Sequence, residues 1–467
     1  MVALPRFPAA PIKMLSRSVV GASAAPISQE NGGNEPRRLS LRRNFLWTLA
    51  GNVVYAGCQW GILVVLAKLG TPEMVGQFAL GLAITAPIFM FSSLQLRSVQ
   101  ATDTQGEYHF GDYLALRLLG VLLSLLVVGG VAGFSSYRWD TKLVLLAVGL
   151  AKAFESISDV FYGLFQQQER LDYIAISMIV KGPLSLLALG LVLYWTGSVL
   201  GGTLALGGAW ALILVAIDVY RGEQILAAGA TLAGSQAPLR RGCRQVWRLP
   251  WKPAALRRLA WLTLPLGFAM MLVSLNHNLP RYCIEHFLGE RELGIFSAMA
   301  YIMVSGAMVV LALGQSASHK LAKYFHGGNR RAFCSLFGKL IGCALCCGLL
   351  GIILAAVAGR EILLLLYSYE YAARTEVFFL LMVAAAALYL VSSLNLALIA
   401  LKYFRLQLLL LMLTSLTILL LSFTLIPGQG LSGAAWALIS GFGIHASIAS
   451  IIVLYNISKL GQNPQHS

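Results

Sequence analysis

Apolar runs of roughly 20 residues, long enough to cross a hydrocarbon core about 30 Å thick, recur along the whole chain. They predict twelve spans, near 45–67, 74–96, 114–135, 142–164, 172–195, 199–220, 259–280, 293–317, 334–357, 376–400, 404–426 and 431–455. Two stretches of this pattern read almost alike. Gly207-Gly208-Ala209-Trp210-Ala211-Leu212 lies in the sixth span and Gly433-Ala434-Ala435-Trp436-Ala437-Leu438 in the twelfth. A second pair keeps nearly the same offset: Leu69-Gly70 before Gly76-Gln77-Phe78, and Leu288-Gly289 before Gly294-Ile295-Phe296. Such self-similarity marks an internal duplication. Six spans per half is an even number, so both halves begin on the same side of the membrane and are parallel rather than inverted repeats.

The expected fold is therefore an all-α integral membrane protein of about 12 transmembrane helices in two six-helix repeats. The predicted organisation is a tail over 1–43, a first bundle over 44–220, a linker over 221–258, a second bundle over 259–456 and a short tail over 457–467. The loop 359–376 is expected to carry a brief interfacial helix at Glu361 to Tyr367.

Composition agrees. Of the 467 residues 58% are hydrophobic and only 12% charged, with a mean hydropathy of +0.75, whereas soluble domains are about one quarter charged. The net charge of +16 raises nucleic acid as a partner, but its distribution points to topology instead. With the N-terminus in the cytoplasm, 24 of the 35 Lys and Arg fall on that side, as the positive-inside rule requires. Twelve spans return the C-terminus to the same side. The tail up to Arg43 reads as a disordered basic segment, or as an organellar transit peptide, since its first 29 residues hold no acid. The linker sets Trp247 and Trp251 among Arg and Lys, which suits either a segment lying on anionic headgroups or a loop basic only to fix topology. Cys343, Cys346 and Cys347 have Leu, Gly and Ala for neighbours and suit packing rather than a metal.

An ionisable side chain at mid-span costs about 2.5–3.5 kcal/mol on insertion scales and must face protein, water or a partner. Seven such residues occur: Arg117, Lys152, Glu155, Asp159, Lys181, Asp218 and Lys339. Lys152, Glu155 and Asp159 are spaced three and then four residues apart, on one helical face. That stripe is either a cavity wall with a titratable carboxylate or a neutralised pair holding the bundle together. Arg117 and Lys339 lie near span starts and can snorkel, and Asp218 lies near a span end with Arg221 beyond it. In Asn276-His277-Asn278-Leu279-Pro280-Arg281-Tyr282 the proline can kink the span and aim Arg281 inward, where its planar fork suits phosphate. An interfacial Arg-Tyr anchor is the alternative. Asn52 and Gln59 share a face, which Gln95 can join, and suit sugar hydroxyls or interhelical hydrogen bonds. The intramembrane positive bias favours an anionic substrate over an organic cation. No phosphate loop, metal-ligand motif or nucleophile–base arrangement stands out, and no loop is long enough for an extramembrane catalytic domain.

The chain resembles the polysaccharide flippases, the Wzx-like branch of the multidrug/oligosaccharidyl-lipid/polysaccharide exporter superfamily. The resemblance rests on Gly76-Gln77-Phe78 running into Leu96-Arg97-Ser98, on Phe154-Glu155-Ser156-Ile157-Ser158-Asp159 before Tyr162-Gly163 and Gln166 to Arg170, and on Asn278 to Tyr282 before Gly294-Ile295-Phe296. It implies a V-shaped MATE-like pair of bundles in the bacterial inner membrane that moves polyprenyl-pyrophosphate-linked oligosaccharide outward by alternating access. No bond is made or broken, so it implies a transporter and not an enzyme, without a cofactor. Implied substrate residues are Arg117, Lys152, Lys181, Arg281 and Lys339, beside Asn52, Gln59 and Asn276. Glu155 and Asp159 are the candidates for H+ or Na+ coupling. Its expected partners are membrane lipids, polysaccharide polymerase and glycosyltransferases, with no nucleic acid. A cation-coupled multidrug or metabolite exporter of the related MATE family is the rival expectation.

Overall fold

The computed structural model describes residues 41–103, 106–232 and 252–460, and these contain helices and no strand. The tail up to residue 40, Trp247 and Trp251 of the linker, and the last seven residues lie outside the described residues. Twelve long helices match the twelve apolar runs. In the first half they are α1 (Leu41–Leu69), α2 (Pro72–Ser93), α3 (Phe110–Phe134), α4 (Trp139–Gln167), α5 (Leu171–Thr196) and α6, which runs as Val199–Ile213, a π-helical stretch Leu214–Val219, and Tyr220–Leu232. In the second they are α7 (Pro253–Leu288), α8 (Glu290–His326), α9 (Arg330–Leu366), α10 (Thr375–Ala400), α11 (Phe404–Gln429) and α12 (Leu431–Leu460). Among the described residues ten are long and apolar enough to cross a membrane by length and composition, and α4 falls outside that composition because of its charged residues. α6 continues to Leu232 and α7 starts at Pro253, so helix occupies both ends of the predicted linker.

Local chemistry sets the ends. Thr71 accepts a hydrogen bond from the Met74 amide with Pro72 at the first helical position of α2, which satisfies one of the free N-terminal donors. Ser198 and Asn329 cap α6 and α9 in the same way. Gly289, at φ 85°, makes the reversal between α7 and α8, in a region of backbone space that side-chain-bearing residues avoid. α9 breaks at Ala358, and the turn that follows corresponds to the interfacial helix expected at Glu361 to Tyr367.

Packing repeats six helices later. In the first bundle α1 lies on α5, α2 on α4, α3 on α4, α4 on α6 and α5 on α6. In the second, α7 lies on α11, α8 on α10, α9 on α10, α10 on α12 and α11 on α12. This is the pattern of two parallel copies. Between the bundles, α2 packs along both α7 and α8, whereas α3 meets α7, and α1 meets α8, only sparsely. The helix ends at which α1 and α7 start are termed the basic face, because they adjoin the cationic tail and linker; the other ends form the opposite face.

Candidate functional site

Near the opposite face the bundles close on each other through glycine. A Cβ on Gly76 of α2 would fall 2.7 Å from the carbonyl carbon of Glu290, and one on Gly294 of α8 would fall 2.8 Å from the Gly76 nitrogen and 2.9 Å from the carbonyl carbon of Pro72. These two glycines are the repeated ones found in the sequence. Gln77 Nε2 donates to Glu290 Oε2 at 3.0 Å, Thr141 Oγ1 donates to Glu290 Oε1, and Arg291 pairs with Glu73 at 3.4 Å. Further from that face, Tyr282 near the end of α7 donates its hydroxyl to the Ala83 carbonyl of α2.

Towards the basic face lies a cavity of about 610 Å³. Its wall is built by α1, α2, α4 and α5, with Arg117 from α3 and Met270 from α7. α2 ends at Leu94 and Gln95, both with positive φ, and the turn releases the short helix Leu96–Thr102, which carries Arg97 to the cavity. Four cations line the wall, Arg97, Arg117, Lys152 and Lys181, against the two carboxylates Glu155 and Asp159.

The α4 stripe is real and fully paired. Lys152 Nζ donates to Glu155 Oε2 at 2.7 Å and stands over the Trp210 ring at 5.5 Å, while Tyr55 of α1 donates to Glu155 Oε1 at 2.7 Å. Asp159 holds two arginines: Arg117 Nη2 at 2.9 Å and Arg97 Nη1 at 3.5 Å. Arg117 is only 1% exposed and also donates to Ser156, so it is buried in the bundle rather than snorkelled to an interface. Lys181, equally buried, donates to Ser158 Oγ and Tyr162 OH, each at 3.0 Å, and lies 3.8 Å from Asp218. Asp218 is fully buried, which departs from its expected place near a span end: the helix continues past it for more than three further turns, so it lies well inside the bundle.

Arg281 approaches from the second bundle. Its Nη1 donates to Asn278 at 2.8 Å, and among the described residues no carboxylate pairs with it. Tyr301 of α8 lies near both Arg281 and the Lys152–Glu155 pair, but Arg281 itself does not line the cavity. The remaining predicted residues lie elsewhere. Lys339 is exposed on α9, and Asn52 is exposed on α1; neither lines the cavity. Gln59 borders a small void with Lys152 and Trp210. Asn276 is buried against α11, where Ser415 donates to it. It therefore packs helices together.

Sequence reasoning missed Arg97, Tyr55 and Tyr162. Arg97 was visible only within the Leu96-Arg97-Ser98 motif. It also missed a polar node in the second bundle, where His445 of α12 meets Thr414 of α11 at 2.9 Å and Asn395 of α10 at 3.2 Å.

Residues 41–319, more than half the chain, match the family described as polysaccharide biosynthesis protein. The chain belongs to that family. It is 29% identical over 395 residues to the capsular polysaccharide biosynthesis protein CapF of Staphylococcus aureus, covering 84% of this chain and 94% of that protein. Among solved structures, a multidrug resistance MATE family transporter of the MOP superfamily in its inward-facing conformation aligns with a TM-score of 0.69 and 12% identity, over 89% of this chain and 99% of that one. The lipid II flippase MurJ in an inward closed conformation aligns with a TM-score of 0.67 and 11% identity, over 89% and 90%. The family match, the apolar helices and the MATE-like fold make this protein a multi-pass membrane protein of polysaccharide biosynthesis.

Proposed function

We propose that the protein is a flippase that carries a polyprenyl-pyrophosphate-linked oligosaccharide from the cytoplasmic to the outer leaflet, for capsule or another surface polysaccharide. The observation that supports this most directly is the cavity: cationic, open near the basic face, and backed by a seal at the opposite face. With the basic face cytoplasmic, this is an inward-facing carrier awaiting an anionic substrate. The pyrophosphate takes the guanidinium groups of Arg97 and Arg117 in competition with Asp159, because planar guanidinium binds phosphate and carboxylate by the same bidentate geometry. Lys152 and, from the second bundle, Arg281 supply further positive charge. The sugars occupy the polar cavity, and the polyprenyl chain stays in lipid by passing through the sparsely packed seam between α1 and α8. Breaking the seal between α2 and α8 then exposes the cavity to the other side. H+ or Na+ coupling enters through Glu155 and Asp159, which face the cavity.

An organic-cation exporter would call for unpaired acids, and both cavity carboxylates are held by cations. The decisive experiment is gene deletion with analysis of lipid-linked intermediates. Accumulation of the complete oligosaccharide lipid on the cytoplasmic side, with loss of one surface polysaccharide, is the expected result. Normal intermediates and normal surface glycan would remove this reading.

A further inference from the structure

Asp218 has no part in the scheme above, yet it is among the most unusual residues of the chain. Its carboxylate is wholly buried, and neither oxygen has a hydrogen-bond partner within 3.5 Å, its polar neighbours being Ser158, Ser177 and Lys181. It lies in the π-helical stretch Leu214–Val219. Such wide turns interrupt the regular ladder of helical hydrogen bonds and gather at functional sites. The groups facing it come from both elements packed on α6: Ser158 and Tyr162 on α4, Ser177 and Lys181 on α5. Along its own helix Arg221 turns away, its guanidinium stacked over Tyr173 and Tyr220.

Among the described residues Lys181 is the one cation paired with it, at 3.8 Å, but its ammonium is already committed to Ser158 and Tyr162. Lys181 and Tyr162 also line the cavity, and the Tyr162 hydroxyl continues to Ser177 at 2.8 Å. A chain of proton-exchanging groups thus runs from the cavity wall to within 3.8 Å of a carboxylate that is wholly buried. A buried ion without hydrogen bonds is far more costly than the neutral acid, and within a membrane such groups mark ion and proton pathways.

We propose that Asp218 is a proton-binding site of this transporter, loaded from the cavity through Lys181 and Tyr162, and that the π-turn lets α6 shift as the carboxylate gains or loses its proton. This rests on the transporter reading and names a coupling site deeper than Glu155 and Asp159, whose oxygens are held by close hydrogen bonds. The proton leaves cavity water and ends on a carboxylate oxygen, giving a neutral acid beside a Lys181 that stays an ammonium.

The test is infrared difference spectroscopy of the full-length protein in nanodiscs, titrated with pH and without any substrate, so that failure of the flippase reading leaves the result intact. A carboxylic-acid C=O band should grow as pH falls, vanish in Asp218→Asn, which mimics the protonated group in shape and charge, and return at a shifted frequency in Asp218→Glu. Lys181→Met removes the neighbouring cation and should move the band's midpoint upward by about one to three pH units. An identical titrating band in wild type and Asp218→Asn overturns the proposal, as does a midpoint indifferent to Lys181→Met. In proteoliposomes, flipping by Asp218→Asn should lose its response to a pH gradient; a retained response refutes the coupling role.

Discussion

Adding one methyl group at Gly76 should unseal the opposite face. The Cβ of Gly76→Ala would sit 2.7 Å from the Glu290 carbonyl carbon and closer still to its oxygen, whereas non-bonded carbons rest at about 3.5–4.0 Å. No flexible side chain is available to yield, because the obstacle is backbone. Helices α2 and α8 must therefore part by about 1 Å, which also lengthens the Gln77–Glu290 hydrogen bond beside them. Overpacking of this kind costs about 1–3 kcal/mol, a shift of roughly 5–150-fold in a two-state equilibrium. The cost falls only on the sealed state, so the population moves towards the state open at that face. Spin labels at Trp139 and Tyr369, 72% and 70% exposed at the ends of opposite bundles, report the separation by pulsed electron resonance. Wild type should show one short distance, and Gly76→Ala a mixture with a longer one. Gly294→Ala should act alike, and the double variant should add less than the sum, because both strike one contact. An unchanged distance distribution in both single variants would refute the gate.

Other expectations concern the cavity. Asp159→Asn frees Arg97 and Arg117 from their shared carboxylate and should tighten binding of a polyprenyl pyrophosphate about tenfold, the equivalent of one charge-assisted bond of about 1.5 kcal/mol, by titration calorimetry; weaker binding would mean the acid assists the substrate. Lys152→Ala should depress flipping in proteoliposomes while Lys339→Ala leaves it unchanged, because only Lys152 lines the cavity; equal losses would contradict the placement of Lys339. Arg281→Ala should slow flipping and Arg281→Lys should restore little, if the planar fork rather than charge alone matters; full rescue by lysine would reduce its role to electrostatics.

The spans were legible because hydropathy in lipid is a strong constraint: unsatisfied backbone is excluded, so length and apolarity nearly determine the helix. The Lys152, Glu155, Asp159 stripe was legible too, since spacing alone fixes a helical face. What spacing does not contain is depth and rotation. Arg117 is seven residues beyond Phe110 at the start of α3, near enough for an interfacial reading, yet Asp159 on the neighbouring helix draws it into the bundle. Lys339 occupies a comparable place, nine residues beyond Arg330 on α9, and stays exposed, with no ion pair among the described residues. Asp218 was hidden by a helix that ran twelve residues longer than its apolar stretch. Only the partner helix distinguishes such cases.

The seal at the opposite face has one further property. Gly76 meets Glu290 while Gly294 meets Pro72, and the same offset relates Gly76 to Gly294, Pro72 to Glu290 and Glu73 to Arg291. This is the reciprocal arithmetic of an interface between identical subunits, residue i on j and j on i, preserved inside a single chain. Glu73 and Arg291 therefore occupy the same position in the two copies, and they form an ion pair. In a symmetric dimer that position would face itself with like charge, acid on acid or base on base. Within one chain the two copies are free to differ, and at this matched position they carry opposite charges.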